Sequence, residues 1–66
     1  MNKNDRRELE KARIYAAMGE PGIAARTVAA IYNAGSRAAQ RECAVLAAEL
    51  SLPVALFNGC LLEVVA

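Results

Sequence analysis

The chain has 66 residues, of which 56% are hydrophobic and 5% aromatic, and its formal net charge at pH 7 is +1. This length allows one small domain, residues 1–66, near the lower limit at which a single core is self-sufficient. A net charge this small argues against a dedicated nucleic-acid-binding protein, which is usually strongly basic. Much of the hydrophobic content is alanine, which buries little surface per residue, so we expect a thin core and a subunit of an oligomer.

The sequence lacks the residues that most catalytic and metal sites require. It contains no histidine, no glycine-rich phosphate loop and no cluster of metal ligands at a characteristic spacing. Its two serines, Ser36 and Ser51, are better explained as helix caps than as nucleophiles. We therefore predict a protein that is not an enzyme and that binds no cofactor or metal.

Cysteine content and hydropathy indicate the compartment. Two cysteines, Cys43 and Cys60, are too few for a disulfide framework and indicate free thiols in a reducing environment. The N-terminus is densely charged and lacks the apolar region of a signal peptide. The longest apolar run, residues 50–62, is interrupted by serine, proline, asparagine and glycine, so no membrane segment is expected. These features predict a cytoplasmic protein that has no membrane partner.

Three helices are predicted, in chain order, over about residues 5–18, 21–33 and 37–50. Asn4 or Asp5 is expected to cap the first helix, and Gly19 to end it in a left-handed conformation. Pro21 can open the second helix, where its missing N–H costs nothing. Gly35 is expected to end that helix, again in a left-handed conformation.

Asn58 and Gly59 lie between two apolar runs and give the strongest short-range signal for a β-hairpin, because both central residues of a type I′ turn need positive φ. The predicted strands cover about residues 54–57 and 60–65. An all-α four-helix protein is the alternative, but its last helix would contain this pair at its middle. We favour a mainly α fold in which the three short helices are followed by the hairpin. The expected core residues are Ile23, Val28, Ile31, Cys43, Leu46, Leu50, Leu56 and Leu61.

The hairpin segment is almost entirely apolar, since Glu63 is its one charged residue. Both faces of such a ribbon need cover, and a chain of this length can hardly supply it. We therefore predict a homodimer or higher oligomer whose interface includes this segment. The expected interface residues are Val54, Leu56, Phe57, Leu61, Leu62 and Val64.

Four polar residues of the second and third helices are predicted to bind a partner. They are Arg26, Arg37, Gln40 and Arg41. Arg37 and Arg41 stand at i,i+4 near a helix N-terminus, where they repel each other and oppose the helix dipole. Stability therefore does not explain the pair, whereas guanidinium groups suit an acidic protein patch or phosphate. A solvated face without a binding role is the alternative interpretation.

A helix-turn-helix is a second way to interpret the pair of helices joined through Gly35. Arg37, Gln40 and Arg41 would then lie early on the recognition helix, where they suit base edges and phosphates. Ile31 stands where that motif has a small residue, four positions before the turn glycine, and would crowd the helix crossing. A small DNA-binding regulator is therefore the alternative function, and nucleic acid the less favoured partner.

Two resemblances concern the first half of the chain. Tyr15, Gly19 and Ala24 stand at the Tyr, Gly and small-residue spacing of a tetratricopeptide repeat, so residues 7–33 resemble a single helical hairpin of that family. A true repeat implies peptide binding on a concave surface, which a lone copy cannot build. Residues 1–12 are similar to the starts of short phage- and prophage-encoded accessory proteins. That resemblance implies a non-catalytic protein-interaction module, an inhibitor or modulator of a host protein.

Overall fold

The computed structural model describes residues 2–64 and contains three α-helices followed by a two-stranded antiparallel hairpin. The helices are α1 (Lys3–Ala17), α2 (Pro21–Ala34) and α3 (Arg37–Leu50), and the strands are β1 (Val54–Phe57) and β2 (Cys60–Glu63). The predicted mainly α fold is confirmed, and with it the choice of a hairpin over a fourth helix. Residue 65, which the prediction included in the second strand, lies outside the described residues.

The sequence around α1 explains both of its ends. Asn2 caps the N-terminus, because its side-chain oxygen accepts a hydrogen bond from the Asp5 backbone N–H at 2.8 Å. The predicted cap at Asn4 or Asp5 is therefore wrong, since the earlier asparagine lets those residues join the first turn. At the other end Gly19 has φ 79°, as predicted, and its backbone N–H donates back to one of the last carbonyls of the helix.

Steric crowding at the junction of α2 and α3 explains Gly35. Its φ is −95° and its ψ is 173°, so the predicted left-handed conformation is wrong. A Cβ at this position would lie 2.6 Å from the Ile31 carbonyl oxygen and 2.8 Å from the Ala39 Cβ. Ser36 then caps α3 as predicted, because its hydroxyl oxygen accepts a hydrogen bond from the Ala39 N–H at 3.3 Å. Glycine is needed here because the chain leaves no room for a side chain.

Small side chains fill much of the core. Within residues 2–64, six of the 13 buried apolar residues are alanines, so the helices approach closely while each buries little surface. The predicted core residues that are buried are Val28, Ile31, Cys43, Leu46 and Leu61. Ile23 and Leu50 are half-buried.

The hairpin lies on the helices through one of its two strands. β2 packs against α2, whereas β1 packs mainly against β2 and has little helix beneath it. Leu56 in β1 is therefore 61% exposed, although Leu61, which faces it across the hairpin, is 8% exposed. The prediction that Leu56 belongs to the core is wrong, because the helices cover only the β2 side of the inner face.

Candidate interaction surfaces

The side chain of Asn33, near the C-terminal end of α2, holds the centre of β2. Its Oδ1 accepts a hydrogen bond from the Leu61 N–H at 2.7 Å, and its Nδ2 donates to the Leu61 carbonyl oxygen at 2.9 Å. The amide thus occupies both backbone groups of this residue, as a neighbouring strand would. The edge of β2 is therefore closed at its centre.

The same two bonds show which way the backbone of β1 points. Leu61 faces Leu56 across the hairpin. The N–H and C=O of Leu61 are bonded to Asn33 and not to Leu56. Leu56 and Leu61 are therefore a non-hydrogen-bonded pair of the antiparallel hairpin. The N–H and C=O of Leu56 therefore point away from β2, so β1 presents an open edge.

The outer face of the hairpin is built from two cross-strand pairs, Ala55 with Leu62 and Phe57 with Cys60. All four residues are exposed, and the exposed fractions of Phe57 and Leu62 are 63% and 48%. None of them carries a charge, and Leu56, on the inner face, adds an exposed apolar side chain at the edge of β1. We call these five residues the hairpin patch. A contiguous apolar surface of this kind marks an association site in many proteins.

The predicted interface residues divide into two groups. Those that are exposed are Leu56, Phe57, Leu62 and Val64. Leu61 lies in the core, and Val54 is half-buried against the core. The outer face also contains Ala55 and Cys60, which the prediction did not include. The turn at residues 58 and 59 could have indicated them, because it fixes the register and so the residues that share the outer face.

Glu63, the one charged residue of the two strands, lies on the inner face and pairs with α2. Its Oε1 is 3.6 Å from the Nε of Arg26, and that Nε also donates to the Gly22 carbonyl oxygen at 3.4 Å. Gly22 leaves room for the carboxylate, since a Cβ there would lie 3.1 Å from the Glu63 Oε2. Arg26, predicted to bind a partner, thus lies beside Glu63 of the hairpin, although its side chain is still 67% exposed.

The other three predicted binding residues, Arg37, Gln40 and Arg41, line one shallow depression on α3 together with Tyr32. Both arginines are exposed. Gln40 is half-buried, and its Nε2 donates at 3.2 Å to the Tyr32 carbonyl oxygen, one of the last carbonyls of α2. Arg26 lies apart, in a depression between α1 and α2.

The two cysteine thiols differ in their surroundings. Cys43 is buried in the core, and this burial, with the nearby Asp5 and Glu42 carboxylates, raises its pKa to about 11. It is therefore a protonated and unreactive thiol at neutral pH. Cys60 is exposed within the hairpin patch.

Residues 2–64 contain neither a cluster of metal ligands nor a membrane-spanning helix. In that range, no three or more histidine, cysteine, aspartate or glutamate side chains come together as metal ligands would. None of the helices there has the length and apolarity needed to cross a membrane.

Comparisons with known proteins give no family for the chain. No protein-family model matches it, and neither a curated protein nor a solved structure does.

Proposed function

We propose that the chain is a non-catalytic protein-interaction module that self-associates through its hairpin and binds a second protein through α3. The observation that carries the proposal is the hairpin patch, which is uncharged and exposed and lies beside the open edge of β1. An exposed apolar strand with free backbone groups promotes association. The opposite edge is closed by Asn33, so the open edge is a specific surface on one side of the fold.

The depression around Arg37 and Arg41 is the proposed surface for the second protein. Within residues 2–64, neither guanidinium has a carboxylate within 4.0 Å, whereas Arg13 pairs with Glu49 at 2.8 Å and Arg26 with Glu63. Arginine binds carboxylates through a planar group with several donors, so an acidic patch is the chemistry this surface fits. A host protein is the class of partner that the resemblance to phage-encoded accessory proteins implies.

Affinity capture tests this second surface. A tagged chain is used to capture proteins from its source cells, with and without nuclease, and the double variant Arg37→Glu, Arg41→Glu is compared with the native chain. We expect a partner that survives nuclease and whose captured amount falls at least about tenfold with the variant, since each reversed charge faces an acidic patch.

The matched control is Arg6→Glu, Arg7→Glu, which makes the same charge change on α1 and is expected to capture the partner normally. A partner lost on nuclease treatment would favour the DNA-binding alternative. Undiminished capture by a folded Arg37→Glu, Arg41→Glu variant would show that this depression is only a solvated face.

A further inference from the structure

We infer that two copies of the chain pair antiparallel through their β1 edges, with Leu56 of one copy opposite Leu56 of the partner subunit. The inference rests on the proposed self-association and adds its geometry. The two hairpins form one four-stranded sheet, in which the β1 strands are central and the β2 strands lie outside. Only β1 can make this junction, because the Asn33 amide occupies the edge of β2.

The free backbone groups select this register. The Leu56 N–H and C=O both point to the open edge, whereas the Val54 N–H is already bonded to the Leu52 carbonyl oxygen at 2.9 Å. In a two-fold arrangement centred on Leu56, each copy donates to the other's Leu56 carbonyl and no existing bond is broken. A register centred on Ala55 would need the Val54 N–H as a donor and would lose its bond to Leu52.

The side chains match at the same register. Counting outward from the Leu56 pair, Phe57 of one copy faces Ala55 of the partner subunit, and the reverse pair forms on the other side of the axis. A large ring thus packs over a small side chain twice, in the cross-strand positions where side chains approach most closely. The Leu56 side chains meet each other on the opposite face. A two-fold interface requires a self-complementary surface of this kind.

The charge distribution is compatible with a second copy, and the small apolar area predicts that the association is weak. β1 contains no charged residue, and Glu63 lies on β2 beside Arg26, so two copies approach without repulsion between like charges. By their fractional exposure, Leu56, Phe57 and Leu62 present on the order of 300 Å² of apolar surface per copy. A standard interface buries about 800 Å² per partner. We therefore expect a dimer that dissociates in the micromolar range.

Disulfide cross-linking of the full chain tests the register, in a Cys60→Ser background because Cys60 is exposed. Leu56→Cys is expected to give a covalent dimer of twice the 7.0 kDa chain mass, since the paired Cα atoms would lie about 5.5 Å apart, within disulfide range. In the Ala55→Cys variant the two introduced cysteines would be diagonal neighbours and not directly opposite each other. We therefore expect this variant to cross-link about tenfold more slowly than Leu56→Cys. Ala48→Cys, exposed on α3, controls for random collision.

Sedimentation of two further variants tests the backbone bonds. Leu56→Pro removes an N–H that makes no bond within the chain, so it spares the hairpin but is expected to raise the dimer Kd about tenfold or more. Leu56→Lys introduces repulsion at the axis and gives the same result should the proline variant not fold. If the native chain dimerises but Ala55→Cys cross-links faster than Leu56→Cys, the register is wrong and the proposed self-association stands. If it stays monomeric at high micromolar concentration, both are wrong.

Discussion

Gly35 has no room for a side chain, and this makes it the most sensitive glycine of the fold. Gly35→Ala is expected to lower the free energy of unfolding by about 2–3 kcal/mol, because its Cβ would overlap the Ile31 carbonyl oxygen of α2 and the Ala39 Cβ of α3, so the junction would have to distort. Urea denaturation of the variant and the native chain measures the difference.

Gly22→Ala is the matched control on the same helix. There the added Cβ would meet only the end of the Glu63 side chain, which can move, and alanine favours the helix over glycine by up to about 1 kcal/mol. We expect this variant to be neutral or slightly more stable. Equal losses for the two alanines would contradict the steric explanation of Gly35.

At the scale of single residues, the sequence could predict backbone conformation where the cause is local. Gly19, Asn58 and Gly59 all have positive φ, as the turn residues indicated. The conformation of Gly35 was predicted wrongly because the glycine is required by crowding between Ile31 and Ala39, on the two helices that it joins, and only the fold shows this crowding. Ser51 also has a positive φ, of 53°, at the end of α3, where its residue type gave no indication of a left-handed conformation.

At the scale of elements, the attachment of the hairpin to α2 depends on Asn33. Asn33→Ala removes both of its hydrogen bonds and leaves the Leu61 N–H and C=O without partners, so we expect a loss of about 2 kcal/mol in the free energy of unfolding. Amide hydrogen exchange provides a local measurement, in which the Leu61 N–H is expected to lose its protection.

Asn33→Asp serves as the control, because it retains an oxygen that accepts from the Leu61 N–H. We expect that amide to remain protected in the aspartate variant, even though the bond to the Leu61 carbonyl is lost. Unchanged exchange at Leu61 in the alanine variant would show that the helix surface alone holds the strand.

The elements themselves could be predicted from caps, breakers and the Asn-Gly turn, and their bounds are correct to within one or two residues. The docking of the hairpin could not. Nothing local distinguishes Asn33 from any polar residue near a helix end, and its partner is 28 positions away in the sequence. The apolar residues on both faces of the strands left no alternation to show that Leu56 would be exposed.

At the scale of the whole molecule, the alanine-rich core supplies little hydrophobic stabilisation, so association should contribute measurably to stability. We expect the Tm of the native chain to rise as its concentration increases from low to high micromolar, since only the folded chain associates. Leu56→Lys is expected to show a much smaller rise. A Tm that is independent of concentration in the native chain would contradict self-association.

For the candidate surfaces, the sequence predicted the segment but not which of its residues are exposed. Apolar content led us to predict an interface at the hairpin, yet only the fold shows that Leu61 is turned inward and that Ala55 and Cys60 belong to the outer face. The arginines were chosen by exposure and charge, and a sequence alone does not reveal that Arg26 faces Glu63. Ion pairs between side chains of different helices and strands determine which arginines have no carboxylate beside them, and such pairs are seen only in the fold.

The bond between Asn33 and Leu61 has a consequence for how far assembly can proceed. In the language of polymer chemistry, a monomer with one reactive end couples once and stops, whereas a monomer with two grows into a chain. A bare two-stranded hairpin has two reactive edges and belongs to the second kind. Because Asn33 occupies one edge, each copy has one open edge, so we expect the proposed self-association to end at a closed pair and not to grow into open-ended fibres.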